Sequence, residues 1–391
     1  MYDLDTRLNS ALDELAAQGR RRSLRAVEPL DGGRIRIKGR EMINFSANDY
    51  LGLSHHPQVI ERSREWAARW GAGSGASRLV TGHMEALSAV EEKIAAAKGV
   101  EAALVLASGW QCNASVLPAL LDRALWGAEP LVFADRLNHA SLHLGCQVAG
   151  AKQNRFRHND LTHLKELLHR TARETGPRFI VTESVFSMDG DTPDVDQLAA
   201  IAEEWNAILY LDEAHATGVL GANGFGLSVG AHVDVAMGTF SKAMGSFGAY
   251  VACSKALKDY LVNKASGLIY STGLPPATLG AIDAAIDLVP TMAAARARLR
   301  AMSDHVRARF HDAGLDTGAS STQIIPVILG EEEQTLKVAA RLEEQGLLGI
   351  AIRPPTVPAG TSRIRFTLSA AHSDSDIERL IETTIAAVRA P

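Results

Sequence analysis

Apolar positions recur along this chain in two rhythms, one helical and one of short strands, and their alternation organises most of its length. Residues 4 to 17 place Leu4, Leu8, Leu12 and Leu15 on one helical face, and Arg20, Arg21, Arg22 and Arg25 follow as a basic run. That pattern predicts an amphipathic arm. Short apolar runs at 35–37 and 42–45 flank Lys38-Gly39-Arg40, which reads as a hairpin. From about residue 57 to 285 the pattern changes. Apolar or β-branched runs at 103–107, 131–134, 179–182, 208–211, 233–238 and 249–252 alternate with helical stretches. Such alternation predicts βαβ units around a mostly parallel sheet, with ligand sites at the carboxyl ends of its strands. Beyond about 286 a long Ala/Arg-rich helix leads to strands near 325–329, 349–352 and 364–368, then a final helix from about Asp374.

A chain of 391 residues exceeds the roughly 250 to 300 residues at which single cores stop growing, so two packed units are expected. Residues 1–56 read as an arm that joins the small domain, 57–285 as an α/β large domain flanked by helices, and 286–391 as a smaller α+β domain. Hydrophobic residues make up 46% of the chain and charged residues 22%, ordinary globular usage. The formal net charge of -5 favours neither nucleic acid nor an anionic membrane, which leaves small molecules as the expected partners. Cys112, Cys146 and Cys253 are widely spaced, with no C-x-x-C pair, and read as buried thiols in a reducing compartment. No stretch reaches the roughly 18 apolar residues of a membrane span, so a cytoplasmic location is expected.

Candidate chemistry gathers after the strand runs. Thr239-Phe240-Ser241-Lys242-Ala243-Met244-Gly245 follows the run at 233–238. A lysine among small residues at a strand end can reach into a crevice where desolvation frees its amine as a nucleophile; a lone Ser-Lys pair also suits an ordinary surface loop. The strand 208–211 runs into Asp212-Glu213-Ala214-His215. Asp212 can pair with a protonated pyridine nitrogen, and His215 can hydrogen-bond that ring's phenolic oxygen. No G-x-x-x-x-G-K-[ST] loop accompanies the acid, so an acid followed about thirty residues later by a lysine fits pyridoxal 5'-phosphate (PLP) better than a nucleotide. Ser108-Gly109-Trp110-Gln111 sits where a strand gives way to a helix, and amides there with the Ser108 hydroxyl suit a phosphate; Trp110 reads equally as a core aromatic. His139, in Asp135-Arg136-Leu137-Asn138-His139-Ala140-Ser141, can stack on a pyridine face or simply cap a helix. Ser184 to Asp191 forms a fifth polar turn after a strand. Five such clusters at one sheet edge outweigh any single motif. The glycine-rich run 71–77 follows a helical pattern instead of a strand, so it reads as a loop near the site and not as a dinucleotide fingerprint.

With these residues in place, the chain resembles the α-oxoamine synthases of PLP fold type I over essentially its full length. The matching segments are 44–53 (Asn-Phe-Ser-Ala-Asn-Asp-Tyr-Leu-Gly-Leu), 73–82, Asn138 to Ser141, Val185 to Asp191, Asp212 to His215, Thr239 to Gly245, and 270–276 (Tyr-Ser-Thr-Gly-Leu-Pro-Pro). The resemblance implies a PLP-dependent acyltransferase that condenses an amino acid with an acyl thioester and releases CO2. Catalysis would fall to Lys242, His139 and Asp212. Lys242 would hold the cofactor covalently, Asp212 would meet its ring nitrogen, His215 and Ser187 its ring oxygen, and His139 its face. Ser108, Gly109, Trp110 and Thr239 would hold the cofactor and its phosphate, with Ser271 and Thr272 reaching in from the second subunit of a homodimer. Arg365, assisted by Asn48, would take the amino-acid carboxylate, while Thr356 and Arg22 would contact the acyl substrate; Arg20, Arg21 and Arg25 are rival candidates for Arg22. The tail 352–372 is more similar to the branch that uses L-alanine and a pimeloyl thioester, carried on CoA or a carrier protein, than to the glycine-using branches. Leu87 stands where the family often has histidine.

Overall fold

A computed structural model describes residues 3–390. Met1 and Tyr2 of the arm, and Pro391, lie outside the described residues. The arm forms the helix Leu4–Ala17, capped by Asp3, and its leucine stripe is exposed along its whole length in the single chain. Strands Arg34–Ile37 and Arg40–Asn44 form the expected hairpin. Its two turn residues, Lys38 and Gly39, have φ of 50° and 78°, the doubly positive geometry that matches the twist of the flanking strands. Strand Leu347–Leu348 adds in parallel to Arg40–Asn44, so one four-stranded sheet joins the two ends of the chain.

The central sheet has seven strands in the spatial order Ala102–Leu106, Ala249–Cys253, Val235–Thr239, Ala207–Asp212, Arg178–Glu183, Leu131–Asp135 and Gln153–Phe156. Ala249–Cys253 runs antiparallel to both neighbours, and every other pair is parallel. Helices cover both faces, which is why most of these strands are buried at nearly every position and read as continuous apolar runs. The seventh strand, Gln153–Phe156, sits at the edge and was invisible to hydrophobic patterning because three of its four residues are polar and not fully buried. Three neighbouring parallel strands each end in an acid, Asp135, Glu183 and Asp212, and the next ends in Thr239. All four sit on the same rim.

A three-stranded antiparallel sheet, Ile324–Gly330, Ser362–Thr367 and Ile350–Ile352, packs with helices Ala293–Asp312, Glu332–Glu344 and Asp374–Arg389. The last of these starts with a Ser373–Asp376 capping box. Backbone bonds from Thr367 to Phe45 and from Ala370 to Tyr50, each 2.8 Å, fasten this sheet to the segment after the hairpin. Among the described residues no single helix is long and apolar enough to cross a membrane.

The loop that follows the Ala207–Asp212 strand hangs on a buried ion pair. Glu213 is fully buried and bonds Lys98 Nζ, while its other oxygen accepts the Ser228 amide at 3.0 Å. Lys98 also donates to the Phe225 carbonyl at 2.7 Å. Removing one member strands a charge in the interior, so Glu213→Ala is expected to lower stability by about 3–5 kcal/mol, measured by chemical denaturation. The double substitution Lys98→Met, Glu213→Leu is expected to cost clearly less than Glu213→Ala alone.

Candidate active site

Lys242 follows the Val235–Thr239 strand by three residues and lines a cavity of about 230 Å³ at the carboxyl rim of the sheet. Burial pulls its pKa from 10.5 down to about 8. Asp212 and Glu183 oppose that shift, and Arg365 reinforces it. Asp212 faces the same cavity and is 4% exposed. Its carboxylate accepts the Ala214 amide at 2.9 Å and Asn113 Nδ2 at 2.9 Å. Asn113 in turn donates to Ser141 Oγ at 2.9 Å and accepts the Tyr210 hydroxyl at 2.7 Å. A buried amide with this many partners has one orientation, and it fixes that of Asp212.

His139 caps the helix Ala140–Val148, as a bland reading of the sequence allowed, and also faces the cavity. Its Nδ1 lies 2.7 Å from Ser141 Oγ, and its backbone N–H is held by Glu183. Burial keeps the imidazole below its usual pKa, and burial followed by the charge of Asp212 pushes the Glu183 carboxyl well above its own. Trp110 is 48% exposed, so it is not a core aromatic. It meets His139 edge-on, with centroids 6.1 Å apart and planes at 83°, on the cavity wall. Helix Gly109–Leu120 begins at that wall, with Ser108 Oγ accepting the Gln111 amide at 3.1 Å. At Gly109 a Cβ would come within 2.8 Å of Thr239 Cγ2, so no larger residue fits there without displacement. Thr239 itself is anchored by its hydroxyl on the Ala214 carbonyl at 3.3 Å.

His215 lies on the cavity with Nδ1 at 2.6 Å from the Tyr50 hydroxyl. Tyr50 also reaches Asn48 Oδ1 at 3.1 Å, and Arg365 approaches that same oxygen at 3.3 and 3.4 Å. Arg365 Nε binds the carbonyl of Ser187, so Ser187 touches this network through its backbone. The structure thus brings together Ser108, Gly109, Trp110, His139, Asp212, His215, Thr239 and Lys242 around one cavity, with Asn48, Arg365 and Ser187 attached through Tyr50 and His215. Ser271 and Thr272 lie elsewhere in the chain. They line a narrow groove with Arg78, where Ser271 accepts Gln111 Nε2 at 2.8 Å. Leu87 lines that groove too, and the glycine-rich loop docks there through Ser74 on the Gly273 carbonyl. Arg22 and Thr356 meet each other at 3.3 Å outside the cavity wall, while Arg25 is taken by Glu343.

Four residues of the site escaped the sequence reading. Glu183 carries the same signal as Asp212, an acid closing an apolar strand, and was legible. Tyr50 lies inside the segment 44–53 without a pattern of its own, and Asn113 is one polar residue in a buried helix. His158 is the fourth. It bridges Asp135 at 3.1 Å and Asp191 at 2.8 Å, joining the turn that carries His139 to the turn that carries Ser187. Burial works against its charge, but the two carboxylates prevail and lift its pKa to about 10.

The fold and this cavity define a class. The chain belongs to the aminotransferase class I and II family, which matches residues 40–383. Within that class it is 65% identical over 390 residues to a protein of Paramagnetospirillum magneticum that carries 8-amino-7-oxononanoate synthase in its name, covering 100% of both chains. Among solved structures, serine palmitoyltransferase with its PLP internal aldimine is 26% identical with a TM-score of 0.90 and 99% of each chain covered. The 8-amino-7-oxononanoate synthase of Francisella tularensis is 26% identical with a TM-score of 0.76, covering 89% of this chain and 98% of its own.

Two outcomes follow from the electrostatics. In the protein free of cofactor, labelling of Lys242 by an amine-selective reagent, followed by mass spectrometry, is expected to reach half its maximum near pH 8 and not near 10.5. His158 has a raised folded-state pKa, so its stabilising contribution is complete below about 6.5, its usual value, and disappears as pH rises through about 10. His158→Gln is therefore expected to cost about 1.5–3 kcal/mol in mildly acidic buffer, and the deficit measured by thermal melts shrinks as the pH approaches 10.

Proposed function

We propose that this chain is a PLP-dependent acyltransferase that condenses L-alanine with a pimeloyl thioester, releasing CO2 and the thiol and forming 8-amino-7-oxononanoate on the route to biotin. The single observation that carries the reading is the half-buried Lys242 amine sharing one cavity with the buried Asp212 carboxylate at the mouth of a helix N-terminus. The 65% identity to the Paramagnetospirillum magneticum relative over its full length supports the choice of substrates.

The donor set fits the cofactor. The wall at Gly109, where a Cβ would press on Thr239, leaves backbone amides and the Ser108 hydroxyl open to a phosphate. Lys242 would hold the group covalently, Asp212 would keep its ring nitrogen protonated, His215 with Ser187 would meet its ring oxygen, and His139 with Trp110 would cover it. Pyridoxal 5'-phosphate, when bound, supplies a carbonyl to capture the amino acid and an electron sink for the charge left at its α-carbon. The remaining work belongs to side chains. Arg365, held by Ser187 and Asn48, takes the carboxylate of alanine and orients the bond to be broken. Lys242 Nζ, released when the amino group of alanine takes its place, would remove the α-proton and later return one, a task suited to an amine whose pKa lies near 8. The new carbon–carbon bond forms as the thiol leaves, and the carboxylate departs as CO2. Arg22 and Thr356 would receive the acyl chain, and Ser271 with Thr272 would complete the site of a second copy in a homodimer. The same proposal assigns residues 57–285 to cofactor binding, with 1–56 and 286–391 forming the smaller unit beside it, in a cytoplasmic enzyme.

Thiol release tests this directly. The purified protein, loaded with PLP, is given pimeloyl-CoA with L-alanine, glycine or L-serine, alongside Lys242→Ala. Release with alanine alone is expected, reduced at least about 100-fold in the variant. Release with glycine or serine and a different acyl-CoA would keep the chemistry and replace the substrates, and no release from any pair, including a pimeloyl carrier protein, would overturn the reading.

A further inference from the structure

The phenol of Tyr50 takes no part in that chemistry, yet it is fully buried against the site and its hydrogen-bond arithmetic has a definite result. Tyr50 offers one proton, and two acceptors lie in reach: His215 Nδ1 at 2.6 Å and Asn48 Oδ1 at 3.1 Å. Asn48 Oδ1 already faces two guanidinium nitrogens of Arg365 at 3.3 and 3.4 Å, which occupy an oxygen with two lone pairs. Burial raises the phenol's pKa to about 12 against the opposing charge of Arg365, so the group keeps its proton. Its proton therefore has one good acceptor left. His215 is neutral, because burial, reinforced by Lys242 and Arg365, holds its pKa well below the usual value. A neutral imidazole carries one proton on one nitrogen, and a partner on one side decides which.

We infer that Tyr50 is a positioning residue that fixes the tautomer of His215: it donates to Nδ1 and thereby keeps the ring proton on Nε2, the far edge of the imidazole, as a hydrogen-bond donor. Gln323 supports the arrangement by donating to the His215 carbonyl at 3.0 Å, so the ring and its backbone are both held. The inference rests on the proposed function only for its consequence, which is that Nε2–H would be aimed at the cofactor's ring oxygen. Asn48 stands between Tyr50 and Arg365, so a carboxylate that draws Arg365 away from Asn48 also offers the Tyr50 proton a second acceptor.

The test is nuclear magnetic resonance of the cofactor-free protein labelled with ring-15N histidine, comparing wild type, Tyr50→Phe and Tyr250→Phe. Tyr250 is equally buried in the same core but bonds Thr217, at 3.0 Å. The wild type is expected to show His215 with Nδ1 unprotonated and hydrogen-bonded and Nε2 protonated. Tyr50→Phe is expected to shift both ring nitrogens toward the mixture of an unconstrained imidazole, and Tyr250→Phe to leave them unchanged. A wild-type His215 protonated on Nδ1 overturns the inference even if Tyr50→Phe does not fold, as do equal shifts in both variants or no shift in either. Adding pyridoxal 5'-phosphate separates the two claims: a correct tautomer in a protein that takes up none of it keeps this inference and rejects the proposed function.

Discussion

Several ionisable groups share one desolvated cavity, and the rest of the structure is arranged to make that tolerable. A buried carboxylate such as Asp212 is expensive unless every lone pair meets a donor or a positive charge. Here the Ala214 amide, the Asn113 side chain and the nearby Lys242 share that task. Asn113 can do so only because Tyr210 and Ser141 hold its other groups, and Ser141 in turn contacts His139. The orientation of the acid, the helix that presents Asn113 and the histidine beside it are therefore one unit. Glu183 shows the alternative outcome, since burial and the charge of Asp212 favour its neutral form.

Adjacent residues divide between function and support. Asp212, the last residue of its strand, faces the cavity, while Glu213, the first residue of the loop, turns into the interior to bind Lys98. The loops at the rim are braced in the same way, by His158 between Asp135 and Asp191 and by Arg363 against Asp189. Arg365 comes from the three-stranded sheet, and Asn48 and Tyr50 come from the segment after the hairpin. Three regions distant in sequence thus meet beside the cavity, joined to its wall through the Tyr50–His215 contact.

Fold likeness and sequence likeness point to different neighbours. Serine palmitoyltransferase matches with a TM-score of 0.90, the Francisella tularensis synthase with 0.76, and both are 26% identical to this chain. The shared framework is what positions Lys242 and Asp212 at the rim of the sheet, so it does not by itself distinguish one substrate from another. The identity of 65% extends over the full length of both chains, and function resides in sites carried on a fold more than in the fold itself, so that likeness carries more weight than the shared framework.

The sequence by itself determined the alternating layout of the large sheet, the hairpin turn at Lys38-Gly39, and the placement of Lys242, Asp212, His215, His139 and Ser108 at strand ends. Each of these is a local consequence of periodicity, positive φ or the residue that follows an apolar run. It did not disclose the polar edge strand Gln153–Phe156, whose pairing comes from its neighbour and not from burial. Nor did it disclose Asn113, Tyr50 or His158, whose roles depend on partners 99, 165 and 23 positions away. Only the tertiary structure decided that Trp110 lines a wall instead of filling a core, and that Ser271 and Thr272 face a separate groove of their own chain. Hydrogen-bond satisfaction in a buried site is a property of groups brought together by folding, and no stretch of sequence contains it.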